Sequence, residues 1–591
     1  MFGLDLDAWI TILTIVTLMA AFLLTRLRSD VGFLGAVGIL FVTGVLDTTE
    51  AFSGFVNSSV VIVGVMFVIA TGLSRTGVLQ WITKSMLGQP KGEVQALLHL
   101  VFPVALVSMF VYNVSVVALF VGVVKLWARK LCIKPSKLLI PLAFAGSMGG
   151  PLTGIVTPST LLMFGMYEQQ TSQSLGILAP TLPALVCFAV AVLVLIVFRR
   201  LLPDINSPES AFANTGDYTF EMMVTPQNRH VGKTVGELGL NHVRAGSLVE
   251  LIHFDDNRIL SPVDDDEPLM GGDRLIFSGR IDALMGFAKE MDFVSSDQPV
   301  LSVYEPSSKR NFRTAYLSFG SSLEGQQLRD TTFEQDNKMT LVAVSRKGER
   351  INLPPREVVL HGGDTLLFAY KPKTKINTDA LASQLHFFDS PEIPITGSKP
   401  LISVAIVVGM VLLAATGIMS LLQSAFIAAG AMLLLGCCTP TKAMNAIKWE
   451  IIITLGGGIA LGTALQNTGV ASLLASAVLG LCHGHPLLVM IALCIVAAVV
   501  TEFVSNSAAV IMMFPIVYDA AMDLGCNPLP FVLALLLAVN AAFMTPVGAV
   551  PNLLVYGPGG YRAIDYLRIG LPVKLAYLST AIIIICLLYD L

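Results

Sequence analysis

Two long apolar blocks flank one charged block, and that layout limits the fold more than any single motif does. The chain holds 37 basic and 41 acidic residues, and 47 of these charges fall between Asp204 and Glu392. Outside that block, roughly 400 residues carry 31 charges. Over the whole chain 13% of residues are charged, against ~25% in soluble domains, and the mean hydropathy is +0.74. These values exclude a purely soluble protein, a disordered chain and a collagen-like one. The net charge of −4 gives no basic surface for nucleic acid.

A spanning helix needs about 20 mostly apolar residues. The first block offers 8–25, 31–47, 56–74 and 176–198 as plain spans, with irregular apolar regions at 96–124 and 138–166. The second offers 400–418, 421–438, 450–466 and 571–589, with irregular regions at 487–518 and 530–557. None of the eight cysteines lies in the charged block, and none forms C-x-x-C, which fits a reducing cytosol there. Residues 1–30 do not read as a signal peptide: Asp5 and Asp7 precede the apolar run and the basic residues follow it.

The two blocks repeat each other. Thr71-Gly72-Leu73 and Thr76-Gly77-Val78 match Thr463-Ala464-Leu465 and Thr468-Gly469-Val470 at an offset of 392. At the same offset Thr153 meets Thr545, Leu161-Leu162 meets Leu553-Leu554, and Gly165 meets Gly557. Charge makes the repeats inverted. Between Arg75 and Lys137 stand eight Lys/Arg: Arg75, Lys84, Lys91, Lys125, Arg129, Lys130, Lys134 and Lys137. Residues 467–527 hold none. Basic loops stay in the cytosol, so the first stretch faces in and the second out. Both flanks of 96–124 are basic, which makes that segment a re-entrant hairpin from the cytosol, and 487–518 its counterpart from outside. Arg199 and Arg200 put the charged block in the cytosol, and Arg562 and Arg568 put the loop before the last span there too.

The expected fold is a polytopic all-α membrane protein with two inverted repeats, ten spans plus two re-entrant hairpins, and an inserted cytosolic pair of small α/β domains. The expected divisions are 1–202, 203–300, 301–398 and 399–591, with both termini outside. Pro203, Pro208, Pro391, Pro394 and Gly397 mark the linkers. Within the insert, Gly271-Gly272-Asp273-Arg274-Leu275-Ile276-Phe277 recurs as Gly362-Gly363-Asp364-Thr365-Leu366-Leu367-Phe368, giving two modules near 218–290 and 312–388. Broken backbone at membrane depth survives only against protein or a water-filled cavity. Paired in inverted repeats, it marks a secondary transporter.

Each irregular span carries helix breakers. The first runs Gly149-Gly150-Pro151-Leu152-Thr153-Gly154-Ile155-Val156-Thr157-Pro158-Ser159-Thr160 and the second Thr545-Pro546-Val547-Gly548-Ala549-Val550-Pro551-Asn552. Freed carbonyls and hydroxyls are hard oxygen ligands, and helix N-termini attract anions. Each hairpin holds a polar cluster: Ser108, Tyr112, Asn113 and Ser115, then Thr501, Glu502, Ser505, Asn506 and Ser507. Glu502, an intramembrane carboxylate, is a candidate proton relay or an interfacial cap.

The run Thr501-Glu502-Phe503-Val504-Ser505-Asn506-Ser507 resembles the Ser-Asn-Thr hairpin tip of the divalent anion/sodium symporter family, and the two broken runs resemble its unwound-helix motifs. The inserted modules are similar to TrkA-C (RCK C-terminal) domains, and Gly232-Lys233-Thr234 resembles their turn into a helix rather than a phosphate loop. The resemblance implies a sodium-coupled importer of a small divalent anion, sulfate or a dicarboxylate, in the plasma (inner) membrane. It implies an elevator motion, a homodimer, two sodium ions, no organic cofactor and a small regulatory ligand on the modules. Carried over, the first sodium falls on Ser108, Tyr112, Asn113 and Val156, and the second on Thr501, Ser505, Asn506 and Gly548. The anion falls on Asn113, Thr157, Pro158, Asn506 and Ser507.

Tyr112 and Val114 stand where the family has Ser and Thr, Ser159-Thr160 replaces Pro-Asn, and Val550 replaces a proline, so the second site keeps closer to pattern. Asp264-Asp265-Asp266-Glu267 lacks calcium-loop spacing. His483 and His485 lack a third metal partner in sequence. With no nucleophile–base pair, an enzyme is not expected. A proton-coupled transporter using Glu502, and a channel or sensor run by the modules, are the alternative readings.

Overall fold

The computed structural model describes residues 5–589 apart from 25–27, 79–86, 174, 206–218, 244–245, 256–257, 261–262, 280, 296–310, 319–320, 347–348, 352, 354, 371–380, 382–383 and 388–398. Lys84 and the linker residues Pro208, Pro391, Pro394 and Gly397 lie outside the described residues.

The first apolar block forms α1 (Leu6–Leu24), α2 (Ser29–Val42), α3 (Thr48–Val56), α4 (Ser58–Arg75), α5 (Glu93–Ser108), α6 (Asn113–Lys130), α7 (Ser136–Gly149), α8 (Pro158–Thr171) and α9 (Thr181–Val197). Among the described residues the inserted block contributes α10 (Ile281–Glu290), α11 (Phe333–Asn337) and ten strands. The second apolar block forms α12 (Lys399–Ala415), α13 (Leu421–Leu434), α14 (Pro440–Ala446), α15 (Trp449–Asn467), α16 (Val470–Leu481), α17 (Pro486–Val500), α18 (Asn506–Asp523), α19 (Pro528–Val539), α20 (Val550–Gly559) and α21 (Ala563–Tyr589).

Helix starts recur at a spacing of 392 or 393 residues. Ser29 and Leu421, Thr48 and Pro440, Ser136 and Pro528, and Pro158 and Val550 each open helices 392 residues apart. Glu93 and Pro486, and Asn113 and Asn506, do so at 393. The local reasons are legible. Asp47 and Glu50 form a capping box at α3, Asn57 caps α4, Ser505 caps α18 and Asn527 caps α19. Proline opens α8, α14, α17 and α19, where a missing N–H costs nothing.

The helices pack as two bodies. In one, α15 lies on α2 and α3, α13 on α4, and α12 on α13. In the other, α7 packs on α5 and α6, α19 on α17 and α18, and α9 on α21, with α20 against α6 and α7. The bodies meet where α8 runs along α4 and α18 along α15. Glycines allow the close approach: a Cβ on Gly458 of α15 would lie 2.0 Å from Ile511 Cδ1, and one on Gly462 2.7 Å from Met166 Cε.

Among the described residues, three stretches are long and apolar enough to cross a bilayer alone: Thr48–Arg75, Trp449–Asn467 and Ala563–Tyr589. Seven shorter apolar helices accompany them. Three short helices of the apolar blocks went unread in the sequence: α3, α14 and α16. Residues 467–486 contain α16, which meets α17 at 119°. Its 12 residues are too few to span a bilayer, so a search for spans passes over it.

The insert forms two five-stranded antiparallel sheets with one shared topology. The first is β3-β2-β4-β1-β5: β1 (Thr219–Met223), β2 (Gly246–Ile252), β3 (Ile259–Leu260), β4 (Arg274–Gly279) and β5 (Val294–Ser295). The second, read in the same sense, is β8-β7-β9-β6-β10: β6 (Asn311–Leu317), β7 (Met339–Arg346), β8 (Glu349–Arg350), β9 (Thr365–Tyr370) and β10 (Leu385–Phe387). Both carry a bulge at the same place, between Leu248 and Glu250 and between Leu341 and Ala343. The repeated Gly-Gly-Asp turns put Gly272 and Gly363 at φ +94 and +86, which only glycine adopts readily. Val249 packs with Val342, Ala343, Leu367 and Ala369 in a small core joining the two sheets.

Candidate functional site

The second hairpin tip, Thr501–Ser505 between α17 and α18, is tied to the broken stretch 540–549 between α19 and α20. Thr501 Oγ is fully buried and lies 2.9 Å from Asn506 Oδ1 and 2.7 Å from the Val539 carbonyl. Glu502 is also buried. It accepts the backbone N–H of Phe543 (3.1 Å), Met544 (3.1 Å) and Thr545 (2.9 Å). Its fourth partner is Lys574 of α21, whose Nζ lies 2.6 Å from Oε1. Thr545 Oγ donates to the Glu502 carbonyl (2.9 Å) and accepts from Gly548 N (2.9 Å). Asn552 holds the same stretch from the other side, donating to the carbonyls of Ala542 and Thr545. Gly548 sits hard against the tip, where a Cβ would lie 3.0 Å from Glu502 Oε2. Ser505 is exposed and caps α18 through Ala508 N (3.3 Å), and Ser507 is the second residue of that helix.

The first tip, Met109–Tyr112 between α5 and α6, faces the break 150–157 between α7 and α8. Thr153 Oγ donates to the Met109 carbonyl at 2.7 Å, which matches Thr545 on Glu502 in the other half. There the likeness ends. Ser108 is fully buried, and its Oγ has no hydrogen-bond partner among the described residues. The same holds for Ser147 Oγ and Thr160 Oγ. Tyr112 turns its ring onto Phe67 of α4, edge to face at 5.7 Å. Asn113 accepts its neighbour Val114 N at 2.9 Å. Val156 and Thr157 are buried, and Thr157 and Pro158 open α8. Gly149 and Gly150 are needed for closeness: Cβ atoms there would lie 2.6 Å from the Ala105 carbonyl and 2.3 Å from Thr157 Oγ.

One amide joins the halves. Asn540, at the end of α19 and 2% exposed, donates to the Leu536 carbonyl (2.8 Å). Its Oδ1 then accepts both Ser159 Oγ of α8 (3.2 Å) and Asn506 Nδ2 of α18 (3.3 Å). The start of α8 and the start of α18 are thereby linked through one oxygen, and the chain continues to Thr501 and Val539. The structure thus gathers Thr501, Asn506 and Glu502 at one tip and ties Ser159, next to Pro158, to them. Among the described residues it leaves the hydroxyl of Ser108 without a partner, and it turns the Tyr112 ring onto Phe67 of α4.

Two residues of this network were missed in the sequence. Lys574 lies in the last helix, outside the motifs read in the sequence. Its signal was a lone lysine inside the last apolar run, and such a residue is a functional or structural anchor by default. Asn540 was a lone amide inside 530–557. Elsewhere the minor signals resolve plainly. Among the described residues no group of three His, Cys, Asp or Glu could hold a metal. In the first module Asp265 accepts Asn241, and Glu267 accepts His253. Thr234 and Glu237 cap each other in the Gly-Lys-Thr run.

Two broken helices, each held by a hairpin tip and linked through a buried amide, suit a site closed within protein rather than an open pore. Comparison with known proteins places this arrangement. The sequence profile of the citrate transporter family, CitMHS, matches residues 19–522 and 410–590. The chain belongs to that family. It is therefore a multi-pass α-helical membrane transporter and not an enzyme. It is similar to the uncharacterized transporter sll0640 of Synechocystis, at 31% identity over 99% of this chain and 98% of that one. It is similar to the probable sodium/sulfate cotransporter 3 of Chlamydomonas reinhardtii, at 29% identity over 65% of this chain and 44% of that one. It is also similar to the Na(+)/dicarboxylate cotransporter 3 of Rattus norvegicus, at 32% identity over 23% of this chain and 22% of that one.

Proposed function

We propose that this chain is a sodium-coupled importer of a small divalent anion, with sulfate ahead of dicarboxylates. The observation that carries the reading is the buried Glu502–Lys574 ion pair beside the broken helix. Among the described residues, the one cation at the tip is bound to a carboxylate and leaves no fixed positive charge for an anion. A divalent anion must then be met by helix N-termini, amides, hydroxyls and bound cations. Coupling to sodium supplies that missing charge. The names of the sodium/sulfate and sodium/dicarboxylate relatives support the same choice of ions.

We place the anion between the tips, on Asn113, Thr157, Pro158, Asn506 and Ser507, and one sodium at Thr501, Ser505, Asn506 and Gly548. A weaker sodium site lies at Ser108, Asn113 and Val156, with Tyr112 contributing its main chain only. Glu502 is architecture rather than a proton relay, because Phe543 N, Met544 N and Lys574 Nζ converge on its Oε1 and Thr545 N holds its Oε2.

In this reading the halves are inverted repeats with ten spans and two hairpins, in the plasma membrane with both termini outside. The body of α5–α9 and α17–α21 moves as an elevator against the body of α1–α4 and α12–α15, in a homodimer. The insert, divided as 203–300 and 301–398, is a pair of cytosolic TrkA-C-like modules that take a small regulatory ligand. Radiotracer uptake into proteoliposomes tests the function, with sulfate, succinate and citrate each under a sodium, a choline or a pH gradient. Sulfate uptake that requires the sodium gradient is expected. Uptake driven by the pH gradient and indifferent to sodium would refute the reading. External thiol reagents test the orientation: a Cys-free chain carrying His483→Cys should be labelled, and one carrying Lys233→Cys spared.

A further inference from the structure

Gly165 of α8 and Gly557 of α20 occupy matching places, 392 residues apart and each seven residues after its helix start. Their neighbours differ. Gly165 sits against the scaffold: a Cβ there would lie 2.7 Å from Asn57 Oδ1 and 2.7 Å from Ser59 Oγ, at the start of α4. Gly557 sits against the second module: a Cβ there would lie 3.3 Å from the Gly363 carbonyl and 3.6 Å from the Tyr316 ring. Among the described residues α20 makes no contact with α15 comparable to that of α8 with α4. The scaffold positions matching Asn57 and Ser59 are Trp449 and Ile451, at the start of α15. Trp449 is 58% exposed there, an aromatic with no cover.

The module contact is stiff on both sides. Asp364 holds the Gly-Gly-Asp turn with a two-pronged bond from Arg346 (2.7 and 2.8 Å) and a third from His361 N (2.9 Å). On the membrane side, α20 carries Asn552, which braces the broken stretch at the second tip. The segment leading into the insert is fastened to the same body. Ser136 Oγ, at the start of α7, bonds the carbonyls of Pro203 and Ile205, and Lys134 pairs with Asp204 at 3.0 Å. The insert rejoins the membrane at α12, in the other body. It therefore bridges the two bodies.

We propose that the Gly557 face of α20 is a seat with two alternative occupants. The turn at Gly363 and Tyr316 holds it in the conformation seen here, and the start of α15 at Trp449 and Ile451 takes it in the opposite one. This rests on the inverted-repeat, alternating reading above: what α8 does with α4 now, α20 does with α15 after the exchange. The second module then competes with the scaffold for the moving body and holds the transporter in its present conformation. A ligand that pulls the module away releases it, by the difference in its affinity for the two states.

The test uses the full chain with its eight native cysteines replaced, reconstituted and assayed with radiolabelled sulfate and sodium. Tyr316→Cys with Gly557→Cys, joined by a short thiol-bridging reagent, should lower uptake by about tenfold or more, and reduction should restore it. Bridged protein that transports at the unbridged rate overturns the proposal. In a second chain, Trp449→Cys with Gly557→Cys should become bridged only when sodium and sulfate are supplied. A third chain, Phe67→Cys with Tyr112→Cys, reports the movement of the first tip against the scaffold. If its bridging does not fall on adding sodium and sulfate, the alternating reading fails and the proposal with it. If that bridging falls while the Trp449–Gly557 bridge never forms, the shared seat alone is overturned.

Discussion

At the second hairpin tip, Thr501, Glu502 and Asn506 all have partners, and the broken helix opposite is held by Thr545, Asn552 and three backbone amides. At the first tip one threonine bond survives, from Thr153 to Met109. Three buried hydroxyls there, on Ser108, Ser147 and Thr160, have no partner among the described residues. The position matching Glu502 is Met109 and that matching Lys574 is Leu182. The two halves share a backbone plan, and the second fixes its tip with a buried ion pair, Glu502–Lys574, where the matching positions of the first are apolar. The lesson is a division of labour. The second tip is preformed and rigid. The first keeps unsatisfied oxygens, each costing about 1–3 kcal/mol while unpaired, and so gains most from a bound cation or water.

The largest expected effect comes from removing the feature that one half has and the other lacks. Lys574→Ala leaves Glu502 buried without its cation, and breaking such a pair costs about 3–5 kcal/mol. Thermal unfolding in detergent should show a strongly lowered midpoint. Glu502→Gln combined with Lys574→Met should recover much of the loss, because no lone charge remains. Equal damage in the single and double variants would deny that the pair is structural.

Next is Asn506→Ala against Asn113→Ala. The first removes an amide whose oxygen accepts Thr501 Oγ and whose nitrogen donates to Asn540 Oδ1, and sulfate uptake should fall to background. The second should leave measurable uptake with a raised KM. If the ranking is reversed, the first tip holds the dominant site. Asn540→Ala should come third. It frees Ser159 and Asn506 from each other, a loss of about 1–3 kcal/mol. Read as roughly 5- to 150-fold in the sulfate KM, with a smaller change in the maximal rate, it would show that the halves are coupled through this amide. The smallest effect is Tyr112→Ser. The ring faces Phe67 and not the tip, so uptake should persist, and its dependence on sodium should steepen if the new hydroxyl completes the first site.

Much of this was legible in the sequence. The 392-residue offset seen in Thr153 and Thr545 located both broken helices, because proline and glycine in an apolar run announce a break whatever surrounds it. The Gly-Gly-Asp turns located both sheets, since a positive φ selects glycine. Partnership was not legible. Lys574 stands 72 residues from Glu502, and no local pattern pairs them. Tyr112 could be weighed only as a bulky substitute, because Phe67 lies in another helix of the other body. Asn540 carries no periodic signature, and its role depends on two helix starts meeting across the repeat. Helix α16 was passed over because it is apolar but too short to span.

The central claim is that the second half holds the tighter cation site. Sodium titration of the purified chain in detergent, read by its thermal midpoint with choline at matched ionic strength, tests this most directly. The account predicts saturable stabilisation by sodium that Asn506→Ala removes and Asn113→Ala retains. Stabilisation that survives Asn506→Ala and is lost in Asn113→Ala would contradict it.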